Sequence, residues 1–293
     1  MNTFISKIKN TQYSIMRWLG QAVTYGILGA WTVFGIYAMG WILLSSLSDT
    51  KSIFSNKLLD YISTNGPLFA NYVNALSTHK MGLYFINSTV YVLISLFLIV
   101  IIAAPASYVL SRFEFRGRKL FHNIFVAGMG IPGTLIMIPL FSMFLRLKLT
   151  GTLTGLITVY VCTSIPFTVY FLTGFFSSLP TELDDAARID GCTDMGVFWR
   201  IMLPLAQPGL ITVVVFNFIG LWNDYFWALI FANDAQRRTL ALGLESLVQS
   251  MRYTGDWGGL FASIMIVFLP TFLLYIFLSE KIIAGVTAGA VKS

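Results

Sequence analysis

Charge is scarce in this sequence. Only 11% of its 293 residues are Asp, Glu, Lys or Arg, against roughly 25% in an average soluble domain, while 56% are hydrophobic. That excludes an ordinary soluble globule. Cysteine is scarce too. Cys162 stands in an apolar run and Cys192 in a polar segment, with no CxxC pair, which argues against a disulfide framework or a zinc site and leaves two small buried or neutral thiols. The patterns GxxxxGK[ST], HExxH and GxSxG are absent, so the chain carries no P-loop, zinc-protease helix or nucleophile elbow. No Asp, Glu or His relay stands at mid-span depth, as a proton-driven carrier usually requires. The net charge of +6 comes with no basic helix or basic–aromatic stripe. Nucleic acid is therefore not a partner. If such a chain does work, another chain supplies the energy.

What the sequence does have is long apolar runs. Six stand out, at about 20–47, 83–110, 120–145, 153–176, 205–231 and 260–278, near the roughly 20 residues that cross a bilayer. They predict an all-α polytopic membrane protein with six transmembrane helices. The first run is too long for a signal-peptide core and ends in "LSSLSDT" without the usual small-residue cleavage pattern, so it reads as a retained span. The connector "RFEFRGRK", residues 112–119, holds four basic residues in eight positions. By the positive-inside rule it lies in the cytoplasm. An even number of spans then puts both termini and the polar segment 179–204 on that side.

Proline punctuates the spans at Pro105, Pro132, Pro139, Pro166, Pro208 and Pro270. Kinked spans around a water-lined path account for this, and so does the ordinary abundance of proline in transmembrane helices. Asp224, in "LWNDYFWAL", is the main acid within a span. Two readings stand: a buried functional acid, or an interfacial acid beside an aromatic belt of Trp222, Tyr225, Phe226 and Trp227. Asn217 lies deeper and is uncharged. Asn217, Trp222, Asn223, Asp224 and Tyr225 are the candidates for a translocation path.

The polar segment "LPTELDDAARIDGCTDMGVFWRIMLP" (residues 179–204) reads as two short helices. Pro180 stops the preceding span. Thr181 serves as an N-cap with Asp184 in a capping-box-like pair, and acids in the first turn suit the helix dipole. Gly191 is the expected left-handed residue after the first helix. The second helix starts near Thr193, presents Val197, Phe198, Ile201 and Met202 on one face, and ends at Pro204. An acid-rich helix of this kind would be repelled by anionic lipid. A protein socket lined with basic residues is the better partner.

The segment resembles the EAA loop of ABC-importer permeases. Asp185-Ala186-Ala187, three residues, Gly191, nine residues, then Ile201-Met202-Leu203-Pro204 reproduce its spacing, with Asp185 where the motif has Glu. "LWNDYFWAL" (221–229) and the tail "GVTAGAVKS" (285–293) are similar to segments of carbohydrate-importer permeases of the maltose-importer second-permease type. The resemblance covers about residues 84–293. It implies a type I ABC-importer permease fold, with an N-terminal segment, first span and outer loop at 1–82, a transmembrane core at 83–281 with coupling helices at 181–203, and a cytoplasmic tail at 282–293. It also implies a non-catalytic subunit of a multi-pass inner-membrane importer of a saccharide. The expected outer loops carry eight basic against five acidic residues, a slight excess that would suit an acidic, alginate-type oligosaccharide but is too small to decide. Glu182, Asp185, Ala186, Ala187, Gly191, Ile201 and Pro204 would couple to the ATPase, and Thr287, Gly289 and Lys292 of the tail would touch it. The implied partners are a second, different permease, a dimer of cytoplasmic ATPase subunits that hold the ATP and magnesium, an extracytoplasmic solute-binding protein, and membrane lipid. This chain itself would hold no cofactor and no metal. The other reading is a stand-alone secondary transporter or channel for a small solute.

Overall fold

A computed structural model describes the backbone of residues 2–290 and the side chains of 18–251 and 253–281. Among the described residues every regular element is a helix. In order they are α1 (Asn2–Ser46), α2 (Thr50–Ser55), α3 (Leu58–Asn65), α4 (Ala70–Leu76), α5 (Met81–Arg112), α6 (Arg118–Met129), α7 (Gly133–Arg146), α8 (Leu153–Ser178), α9 (Glu182–Ile189), α10 (Asp194–Val197), a π-helical turn (Phe198–Met202), α11 (Leu203–Leu205), α12 (Gln207–Trp222), α13 (Phe226–Phe231), α14 (Leu240–Thr254) and α15 (Trp257–Ala290).

Among the described residues four helices are long and apolar enough to cross a membrane: Trp18–Ser46 within α1, then α5, α8 and Trp257–Lys281 within α15. The number rises to six if each of two bent pairs is one span. These are α6 with α7, bent by 100°, and Asp194–Leu205 with α12, bent by 72°. The third apolar run is therefore not the single straight helix its hydropathy suggests. It breaks at Gly130–Pro132, where Pro132 adopts an extended ψ of 128°; proline offers no N–H to the ladder and disfavours a helical residue before it. The fifth run also divides, with α12 ending at Trp222 and α13 beginning at Phe226. Pro105, Pro166 and Pro270 by contrast lie inside α5, α8 and α15 without breaking them.

The chain forms two compact units, one running to Tyr72 and taking in Gly255–Met265, the other holding Val73–Thr254 and the chain from Ile266 onward. In the first unit the connector after α1 is folded, contrary to its polar, loop-like sequence. Asp49 caps α2 by accepting from Ser52 N at 3.1 Å. Asn71 donates to the carbonyls of Ser46 and Ser48, and so satisfies backbone acceptors at the end of α1 that the helix itself leaves free.

In the second unit α5 packs along α8. One core gathers Tyr91, Val92 and Ile99 of α5, Leu156 and Tyr160 of α8, Trp222 and Phe231. A second core lies where α5 and α8 end: Tyr108, Leu172, Phe175, Phe176, Ala187, Val197, Phe198 and Met202. This second core carries the polar segment. Gly209 lets α12 reach α8 there, since a Cβ on it would stand 2.6 Å from the Phe175 ring.

Candidate functional site

Local sequence chemistry shapes residues 179–206. Leu179 precedes a proline and adopts ψ 146°, which ends α8. Thr181 does not cap α9. Its backbone is helical and its side chain makes no cap hydrogen bond, and the expected pairing with Asp184 fails because Asp184 turns inward, 5% exposed. Gly191 behaves as expected, at φ +82°. Its N–H donates to the Arg188 carbonyl, and Cys192 N–H donates to Ala187, both at 3.0 Å. Together they form a Schellman end that satisfies the last carbonyls. Thr193 caps the next helix by accepting from Gly196 N at 3.2 Å.

Pro204 does not end that helix; it reshapes it. A proline lacks the donor for the carbonyl four residues back and its ring crowds that carbonyl. The preceding turn widens, so Leu203 N–H reaches Phe198 O as a π-helical bond. The hydrogen-bonded path continues through Ala206 N to Met202 O and Leu210 N to Ala206 O, and the 72° bend lies at this junction.

The predicted face of the second helix holds: Val197, Phe198 and Met202 are buried and Ile201 is half-buried. On α9 the coupling candidates divide. Glu182, Asp185, Ala186 and Gly191 are exposed, as is Pro204. Ala187 is buried in its own chain's core, because it lies three residues from Asp184 on the inward face.

Three groups at this site were not named from the sequence. Arg112 Nε lies 3.1 Å from Asp184 Oδ2, with both side chains almost fully buried. Arg112 Nη2 donates to the Leu179 carbonyl at 2.9 Å, and Tyr108 OH donates to Asp184 Oδ1 at 3.1 Å. Ile189, at the end of α9, is 86% exposed. The inward pair was signalled only by the three-residue spacing of Asp184 and Ala187; nothing along the chain pointed to Arg112.

The translocation candidates occupy different settings. Asn217 is buried, donating to Thr168 Oγ1 at 3.0 Å and to the Val213 carbonyl at 2.8 Å. Trp222 is buried, stacked on Phe218, with its indole N–H donating to the Val267 carbonyl at 3.0 Å. Asp224 accepts from Tyr160 OH at 2.9 Å and from the backbone N–H groups of Trp227 and Ala228, so it caps α13. Asn223 is exposed and Tyr225 half-exposed. Both cysteines are free, and Cys162 is exposed. No group of three or more His, Cys, Asp or Glu side chains among the described residues converges as a metal site. Lys292 lies outside the described residues, as do the side chains of residues 282–290, Thr287 and Gly289 included.

Residues 96–280 match the family described as "Binding-protein-dependent transport system inner membrane component". The chain is 37% identical over 273 residues to the diacetylchitobiose uptake system permease protein NgcG of Streptomyces coelicolor, covering 92% of this chain and 89% of that one. It is 31% identical over 271 residues to the trehalose/maltose transport system permease protein MalG of Thermococcus litoralis, covering 91% and 95%. Its fold is similar to that of a chain of a bacterial ABC transporter involved in import of the acidic polysaccharide alginate, at a TM-score of 0.75, 22% identity and coverage of 89% and 96%. An ABC permease subunit does not itself hydrolyse ATP; a partner ATPase does, and a solute-binding protein serves the importer. With its membrane-spanning helices and its bent, acid-bearing segment at 179–206, the chain belongs to the family of binding-protein-dependent transport system inner membrane components, the permease subunits of ABC importers.

Proposed function

We propose that the chain is one of two different permease subunits of a saccharide importer. Residues 181–203 dock into a cytoplasmic ATPase dimer, and the opposite end meets a solute-binding protein. The observation that carries this is the outward face of α9. Glu182, Asp185 and Ala186 are exposed there, with Ile189 beside them. The helix's one cation, Arg188, lies against Asp194 at 3.2 Å and is outnumbered by the exposed Glu182 and Asp185, so the face is net acidic, with an apolar residue beside the acids. Anionic lipid repels such a surface, and a socket with basic rims and an apolar floor accepts it. Both termini are cytoplasmic in this arrangement. ATP and magnesium belong to the ATPase, and Thr287, Gly289 and Lys292 of the tail approach it.

Support for a saccharide as cargo comes from the relatives named for diacetylchitobiose and for trehalose and maltose. The likeness to the alginate importer at 22% identity bears on fold and not on cargo, so an acidic oligosaccharide remains one member of the panel to be tested. Along the path, Asn223 and Tyr225 offer polar and aromatic contact, while Asn217, Trp222 and Asp224 hold the helices that shape it.

The test is purification of the assembled complex in nanodiscs with wild-type chain or Asp185→Lys. Wild type retains its ATPase, and binding proteins loaded with chitobiose, maltose or an oligo-uronate are compared for stimulation of ATP hydrolysis. Asp185→Lys loses the ATPase several-fold. Equal retention of ATPase by both chains, or no stimulation by any saccharide, overturns the corresponding half of the reading.

A further inference from the structure

We propose that the buried Arg112–Asp184 pair is a clasp that makes α9 move as one body with α5, so that a displacement imposed on α9 reaches the span. Arg112 and Asp184 are positioning residues. This rests on the reading of 181–203 as the ATPase-docking segment.

Packing alone fastens α9 weakly. Its buried side chains are Asp184 and Ala187, and Ala187 contributes a single methyl to the second core. The Arg188–Asp194 pair and the approach of Arg188 to the Phe113 ring, 5.8 Å from its centroid, are surface contacts. Exposed pairs of this kind hold little.

The clasp is different in kind. Arg112 is the last residue of α5, and its guanidinium reaches both sides of the α8–α9 junction, through Leu179 O at 2.9 Å and Asp184 Oδ2 at 3.1 Å. Tyr108, one turn earlier on α5, holds the other Asp184 oxygen. The Tyr108 ring is itself set against Phe113, Phe176 and Phe198, so the carboxylate sits on a rigid aromatic base. Burial removes water that would otherwise screen the pair. The planar guanidinium donates to the Leu179 carbonyl through Nη2 while its Nε edge lies against the carboxylate, a two-sided arrangement that a lysine ammonium on a flexible stem does not reproduce. The 3.1 Å approach of Nε to Oδ2 is not an aligned hydrogen bond, since both atoms lack one.

The test uses the full complex in nanodiscs, with Cys162→Ser and Cys192→Ser and spin labels at Thr181→Cys, beside α9, and Phe97→Cys, on α5. Both positions are exposed. In the parent protein the distance between labels is unchanged between the nucleotide-free and ATP–vanadate states. With Arg112→Lys or Asp184→Asn it shifts by several ångströms, while the ATPase still co-purifies. If either single variant fails to fold, Arg112→Met with Asp184→Leu takes its place, because an apolar pair of similar volume is tolerated where a lone buried charge is not. The clasp is refuted by a parent distance that changes with nucleotide, or by variants whose distance stays fixed. Loss of the ATPase from the parent complex would instead count against the docking reading on which the clasp rests.

Discussion

Tyr160 and Asp224, 64 residues apart in sequence, meet through a 2.9 Å hydrogen bond from the tyrosine hydroxyl to the carboxylate. The same carboxylate accepts from Trp227 N and Ala228 N at the start of α13. One acid thus closes the break after α12 and ties it to α8. Of the two readings of Asp224, this geometry gives a structural occupation to its oxygens: they are engaged by the protein.

Asp224→Ala removes all three hydrogen bonds. Loss of a side chain that satisfies the first N–H groups of a helix costs about 0.5–2 kcal/mol, and stranding a buried hydroxyl costs about 1–3 kcal/mol. The purified complex is expected to unfold several degrees lower in a thermal scan. Asp224→Asn, which keeps an acceptor, loses less, and Tyr160→Phe with Asp224→Ala loses less than the sum of the two. Transport that falls while the unfolding midpoint stays in place would assign the acid to cargo instead.

Gly191 sits at φ +82°, where a side chain costs about 1–2 kcal/mol. Gly191→Ala is expected to loosen the Schellman end of α9 and to reduce co-purifying ATPase several-fold. Gly191→Asn retains more of it, because asparagine tolerates the left-handed region. Equal loss with Ala and Asn would point to the extra bulk and not to the backbone angle.

Ile189 is 86% exposed on α9. As an anchor in the ATPase socket its truncation or charge substitution costs about 1–2 kcal/mol of binding, roughly a tenfold change in affinity. Ile189→Glu should weaken ATPase binding, measured by titration, with no change in the thermal unfolding of the isolated chain. Unchanged affinity would place Ile189 outside the interface.

The membrane class, the apolar runs and the motif at 185–204 were legible because each is a property of neighbours along the chain. Hydropathy averages over a window and needs no partner, and the turn at Gly191 and the cap at Thr193 follow from local backbone chemistry. Thr181 shows the limit of such reasoning. Its pairing with Asp184 satisfied a local rule, yet Asp184 is engaged by Tyr108, 76 residues away. The third run reads as one span by composition, and the break at Pro132 was visible only as a proline among several. Pro105, Pro166 and Pro270 have the same chemistry and break nothing.

The sequence by itself determined that this chain lives in a membrane, contains no GxxxxGK[ST] pattern and presents an acid-fronted segment of set spacing. Those follow from composition and from distances along one chain. Tertiary structure alone decided which acid of α9 turns inward, where the third and fifth runs bend, and what holds Asp224. The physical reason is that a buried charge or hydroxyl takes its role from the group that meets it, and here Arg112, Tyr108 and Tyr160 arrive from helices far away in sequence.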